Sequence, residues 1–118
     1  MDKKVGFTVE SHFKGKDAIV PKIYGQLLKA GKKLGPVAEE AKKTSIHLVN
    51  VTAFAGVATR KHGIVLTLKS DRQLSSPRIH RSERVSANRF HHEVKLTSPS
   101  EVDTELTRWL KDAYSLSG

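Results

Sequence analysis

The chain contains no cysteine, and its aromatics amount to one tryptophan, two tyrosines and four phenylalanines. The first absence excludes a disulfide scaffold, a thiol nucleophile and any cysteine-ligated zinc or iron–sulfur site. It also fits a reducing cytoplasm, which is the expected location. The scarcity of aromatics weakens a single-strand nucleic-acid binder, which needs exposed rings interleaved with basic side chains for base stacking. No window approaches about 18 consecutive apolar residues, so no helix is expected to cross a membrane. Met1-Asp2-Lys3-Lys4-Val5 lacks the apolar run of a secretory leader. Internal repeats and low-complexity tracts are missing. So is a Gly-x-Ser-x-Gly nucleophile elbow. Gly15-Lys16-Asp17 and Gly31-Lys32-Lys33 lack the spacing of a phosphate-binding P-loop.

Acids are the other shortage. Twelve Asp and Glu stand against 21 Lys and Arg in 118 residues, a formal net charge of +9. Such an excess favours nucleic acid, an anionic surface or an acidic partner, although it also serves plain solubility. The charge has two textures. The first 43 residues carry ten lysines and no arginine. Among these, Lys29, Lys32, Lys33, Lys42 and Lys43 read as a solvated helical face and its exit. Six of the seven arginines then fall between Arg60 and Arg89: Arg60, Arg72, Arg78, Arg81, Arg84 and Arg89. Only Asp71 and Glu83 counter them between Arg60 and His92. A guanidinium is a planar fork suited to bidentate contact with phosphate or carboxylate, so this stretch marks a candidate anion site.

The length fits one domain, residues 1–118, large enough to hold a core without staples. Thr8 to Phe13 reads as a short helical turn stopped by Gly15. Asp17 is placed to cap a helix whose apolar stripe runs through Ile19, Val20, Ile23, Tyr24, Leu27, Leu28 and Leu34, before Gly35-Pro36 ends it. Strands are expected at 45–49, 53–58 and 63–69. Ile64, Leu66 and Leu68 share one face of the third, and Lys61-His62-Gly63 supplies a hairpin turn before it. Residues 37–41 can add a short edge strand. Residues 70–87 hold few apolar side chains and one proline, and read as a long loop with a short extended piece near Ile79. Phe90, His92, Val94 and Leu96 alternate in a last strand. Ser98-Pro99-Ser100-Glu101 is a capping box that opens a helix with the stripe Val102, Leu106, Trp109, Leu110 and Ala113. Trp109 is expected to be buried against the sheet. Helix, strands, then helix gives an α+β fold: an antiparallel sheet of about four to five strands packed with an N-terminal and a C-terminal helix.

Phe54-Ala55, Gly63-Ile64-Val65-Leu66-Thr67-Leu68, and His92-Glu93-Val94-Lys95-Leu96 running into Val102-Asp103-Thr104-Glu105-Leu106 and Trp109-Leu110 resemble an uncharacterised bacterial domain-of-unknown-function family, number 5655. The resemblance extends from about Thr8 to Tyr114. It is looser to small α+β proteins of the YdhG and MmcQ/YjbR kind, which pair terminal helices with an antiparallel sheet. The MmcQ/YjbR fold has been likened to DNA-binding proteins. The resemblance implies a fold and carries no catalytic residue to this chain.

The candidate site residues follow from strand parity. His92 lies on the apolar side of its strand, as a hydrogen-bonded core histidine or the wall of a pocket. It should be far less accessible than His91, which points the other way. Glu93 and Lys95 share the opposite face. With Asp71 upstream they resemble the acid and Glu-x-Lys set of Mg²⁺-dependent nucleases, in which two carboxylates hold the ion and the lysine stabilises charge. Glu-x-Lys is equally the mark of an ordinary ion-paired strand face. A metal site from His80, His91 and His92 would need a bulge, because adjacent strand residues face opposite ways. The reading is a non-enzymatic binding module without cofactor. Its partner is anionic, nucleic-acid backbone first and an acidic protein or phosphorylated ligand second. Its anion-binding residues are Arg60, Arg72, Arg78, Arg81, Arg84 and Arg89. The alternatives are the nuclease of Asp71, Glu93 and Lys95, or a protein-interaction domain without ligand.

Overall fold

The computed structural model describes residues 7–118. Met1 to Val5, read above as lacking a leader, lie outside them. The strands are β1 (Ala38–Ala41), β2 (Ile46–Val49), β3 (Ala53–Thr59), β4 (Ile64–Ser70), β5 (Ile79–Ser86) and β6 (Arg89–Leu96). They form one antiparallel sheet in the order β1-β2-β3-β4-β6-β5. Helices α1 (Ile19–Lys32) and α2 (Thr104–Leu116) pack on one face of this sheet and against each other. The α+β class is therefore as expected, but the sheet has six strands rather than four to five.

The added strand is β5, inside what the sequence presents as a loop. It lacks a hydrophobic signal because it is an edge strand exposed along nearly its whole length. Two bulges interrupt its pairing with β6, between Ile79 and Arg81 and between Arg84 and Ser86. Bulges and charges are how an edge strand avoids recruiting another chain, and both erase the two-residue alternation. β1 forms the opposite edge and is equally polar.

The central strands obey the alternation. Ile46 and Leu48 of β2, Val57 of β3, Ile64, Leu66 and Leu68 of β4, and Val94 and Leu96 of β6 are buried beneath the helices. α1 contributes Val20, Ile23, Tyr24 and Leu27, and α2 contributes Leu106, Leu110 and Ala113. A bulge in β3 puts Phe54 and Ala55 in the core side by side. The Tyr24 hydroxyl, raised well above its ordinary range by burial and by Glu39, donates to Glu39 Oε1 at 2.6 Å and ties α1 to β1. Gly63 closes the β3–β4 turn where a Cβ would stand 2.5 Å from the Leu96 carbonyl oxygen, so no side chain fits there.

Three local expectations change. Asp17 does not cap α1 with its side chain; Ala18 holds that position and Asp17 bonds the His62 ring instead. The Ser98–Glu101 capping box is present, but it closes a 3-10 turn, Pro99–Glu101. α2 begins later and is capped by Asp103, whose carboxylate accepts from the Leu106 N–H at 3.1 Å. Trp109 is only half-buried at the flank of the core rather than within it. Trp109→Ala is therefore expected to cost about 1–2 kcal/mol, below the range of roughly 3–5 for a fully buried aromatic. Urea denaturation measures this, and a loss above about 3 kcal/mol would contradict the half-buried placement.

Candidate anion-binding face

Because both helices lie on one side, the alternate residues of the central strands emerge on a face that no described helix covers. Register decides which they are. Val65 stands opposite Lys95, Thr67 opposite Glu93, and Lys69 opposite His91. Arg89 follows His91 on the same side of β6, and His47 of β2 faces Gly56 of β3. Gly56 and Ala58 are small, so the face sinks between its taller neighbours. The hollow has a volume of about 350 Å³, and its lining includes His47, Gly56, Ala58, Thr67, Lys69 and His91.

Glu93, opposite Thr67, and Glu83, opposite His91, bring acids to the same face, although the hollow's own lining includes no carboxylate. Burial lowers the affinity of Lys69 for its proton, and the neighbouring Arg89 charge lowers it further. The Lys69 ammonium donates to Thr52 Oγ1 at 3.2 Å, and among the described residues no acid pairs with it. Arg89 stands beside Lys69 outside that lining, and its Nη1 is covered by protein without an acceptor. A buried donor left unpaired costs about 1–3 kcal/mol, so such groups in folded proteins call for a partner. At the other end of the same strands, Arg60, Lys61 and Lys95 border a second hollow of about 360 Å³ beside His62 and Thr97. The two groups of cations lie roughly 15–20 Å apart along β4, at about 3.3 Å per residue.

The arginine cluster of the sequence is divided by the fold. Arg78 is a structural bridge. It donates to Asp103 at 2.8 Å, to Glu105 at 3.3 Å and to the Glu101 carbonyl at 2.7 Å. Arg72 pairs with Asp71 and Asp112 at 3.4 and 3.3 Å. Arg84 lies over the Phe90 ring and donates to the Ala87 carbonyl in the β5–β6 turn. Arg81 is exposed on β5 opposite Glu93, on the uncovered side. Arg60 sits at the β3–β4 turn, at the far end of β4 from Arg89. Arg81 and Arg89 thus share the open face with Lys69 and Lys95, while Arg72, Arg78 and Arg84 are engaged elsewhere.

His92 is fully buried, whereas His91 is partly accessible. The His92 Nε2–H donates to the Arg72 carbonyl at 3.1 Å, which leaves Nδ1 to accept from the Ser82 hydroxyl at 2.8 Å. Its ring stacks on Phe90 with centroids 6.0 Å apart. It is a satisfied core histidine rather than a pocket wall. Glu93 and Lys95 do share the open face, but Asp71 lies beyond the end of β4. It is four residues past Thr67, the partner of Glu93, or roughly 13 Å along the strand. Among the described residues no three His, Asp or Glu side chains gather as a metal site.

Lys69, Thr67 and His47 are the residues that sequence reading overlooked. The alternation that places Ile64, Leu66 and Leu68 in the core also places Val65, Thr67 and Lys69 opposite, so half of the signal was present. The pairing of β4 with β6 across the intervening β5 sequence was not, and it alone brings His91 and Arg89 to Lys69.

Fold and site together define a small α+β protein whose antiparallel sheet is covered by its two helices on one side. The chain belongs to the DUF5655 family, a domain of unknown function, whose pattern matches residues 9–117. No curated protein and no solved structure gives a significant match.

Proposed function

We propose that this protein is a non-enzymatic module that binds nucleic-acid backbone across the uncovered face of its sheet. The observation that carries the reading is the adjacency of Lys69 and Arg89 there, a partly desolvated lysine beside an arginine with a buried, unpartnered nitrogen. Arg60, Lys61 and Lys95 extend the positive charge along the strands. The rings at this face are the imidazoles of His47 and His91, and no Phe, Tyr or Trp of the central strands is exposed there, which disfavours base stacking. Among the described residues no helix projects from it to read a groove. Contact is then with phosphates, independent of sequence.

Five cations engaging a duplex predict a log–log salt slope of about −4 to −5, with a dissociation constant of roughly 10⁻⁴ to 10⁻⁶ M at physiological salt. Fluorescence anisotropy with duplexes of unrelated sequence measures both. The variant Lys61→Ala, Lys69→Ala, Lys95→Ala is expected to weaken all of them at least tenfold. Removing the same charge from α1, at Lys29, Lys32 and Lys33, is expected to change binding less than threefold. Equal losses would mean that only net charge matters and would refute a site on the sheet.

A further inference from the structure

We propose that β5 is a self-association edge. Two copies of the chain join antiparallel at Arg81 to Arg84, about a two-fold axis through Ser82, and their sheets become continuous. This goes beyond the binding reading and does not depend on it.

The edge is open and its charges lack partners. β5 ends the sheet and is exposed from His80 to Ser86. The helices pack chiefly over β3 and β4, which leaves room for a second copy beside β5. Arg81 stands opposite Glu93, and Glu83 opposite His91, so both are on the uncovered side of the sheet. Among the described residues neither makes an ion pair within the chain.

Symmetry selects the register. Two identical antiparallel edges in one sheet are related by a two-fold axis perpendicular to it. Side chains alternate between faces, so that axis must pass through a residue. An axis between residues would set an open-side position against a helix-side one. With the axis at Ser82, Arg81 faces the partner's Glu83 and Glu83 faces the partner's Arg81. Opposite charges directly across a ladder attract, and the small Ser82 side chains meet at the axis. An axis at Arg81, Glu83 or Arg84 sets that residue against its own copy, like charge against like. A parallel pairing in register does so at every position. The other edge has no such solution: β1 carries Glu39 and Glu40 and no base.

The bulges at His80 and Val85 bracket this regular stretch. They bar a long unrelated strand, and the charges bar any partner without the inverse pattern. The devices that keep strangers from β5 thus leave a short window that fits its own copy. Val85, an exposed apolar side chain, falls at the end of the window, where the partner's Ile79 comes opposite. Arg84 falls opposite the partner's His80 but is turned onto its own Phe90 ring and the Ala87 carbonyl. One short strand a side buries less than about 1,200 Å² in total, so the dimer is a weak one. Both uncovered faces lie on the same side of it, because the axis is perpendicular to the sheet.

Sedimentation equilibrium of the full chain from about 10 µM to about 1 mM is expected to show monomer and dimer in exchange. Glu83→Arg and Arg81→Glu should each weaken the dimer at least tenfold, since each sets like charges across the axis. Mixing the two variants should restore association as a heterodimer, because each supplies the charges that the other has lost. Net charge does not account for this pattern, because the two variants shift it in opposite directions. Circular dichroism checks that both remain folded. The wild type alone gives a second readout. Its concentration-dependent NMR shifts should centre on β5, and nuclear Overhauser contacts between labelled and unlabelled copies should link Arg81 to Glu83. A chain that stays monomeric throughout this range would overturn the proposal. So would a dimer indifferent to both single reversals, or shifts centred on β1 instead.

Discussion

His92→Ala is expected to lower stability by about 3 kcal/mol, a large effect for a polar side chain. The ring is fully buried, and its removal empties space beside Leu68, its partner across the ladder, and the stacked Phe90. Cavities of this kind cost about 2–5 kcal/mol for large core side chains. Two hydrogen bonds go with it, leaving the Arg72 carbonyl and the Ser82 hydroxyl to find new partners. Ser82 belongs to the edge strand and Arg72 to the loop before it, so the histidine fastens both to the sheet. The damage should concentrate there. Amide exchange in β5 is expected to accelerate more than in β2 or β3. His92→Phe restores volume without the hydrogen bonds and should recover about half of the loss. Nitrogen-resolved NMR should find the ring proton on Nε2. A ring proton found on Nδ1, or an alanine variant of wild-type stability, would refute this assignment.

Arg78→Met is expected to cost about 2–3 kcal/mol, although exposed arginines on this protein should be nearly neutral when replaced. Its side chain is 21% exposed and reaches three acceptors on the turn and helix that follow the sheet. Hydrogen bonds to charged groups contribute about 1.5–3 kcal/mol, and here several share one donor group. Burial opposes the charge of Arg78, but Asp103 and Glu105 more than offset it and hold its affinity for the proton above the ordinary value. The Leu106 N–H first, and Arg78 second, hold the Asp103 carboxyl below its ordinary value of 3.8. A depressed carboxyl stabilises the folded state above its unfolded value and loses that contribution as pH falls through the folded one. The gap between wild type and Arg78→Met should therefore be constant above about pH 5 and narrow below pH 3.8. Denaturation series at several pH values test it, and a gap that widens in acid would contradict the ion-pair origin. The same variant should leave duplex affinity within about twofold, because Arg78 does not lie on the open face.

Legibility in the sequence followed burial. Ile64, Leu66 and Leu68 announce β4 because one face of that strand is dry and the other is not. Phe90 to Leu96 does the same for β6, and the stripe through Leu106, Leu110 and Ala113 for α2. The strand His80 to Ser86 announces nothing, since both of its faces meet water and its pairing rests on backbone groups that every residue carries. Trp109 fits the apolar period of α2 yet stands at its margin, because periodicity gives the direction of a side chain and not the extent of what covers it. The arginines posed a different difficulty. Their density along the chain was plain, but adjacency in sequence says nothing about ion pairing, and Arg78 found its carboxylates more than twenty residues away. The candidate face depends on which strands are neighbours, and the step from β4 over β5 to β6 is a long-range choice made by packing.

That step has a kinetic side. β5 and β6 are joined by the two residues Ala87 and Asn88, so their pairing closes a short loop. Hairpins of this size form in about 1–10 µs. β6 can reach β4 only by spanning the segment that includes β5, a closure that costs more entropy. The hairpin is then assembled first and docks as a unit, β6 inward. Lys69 and Arg89 are brought side by side only at that docking step. Their repulsion opposes that docking step, and an anion present in solution is expected to relieve it.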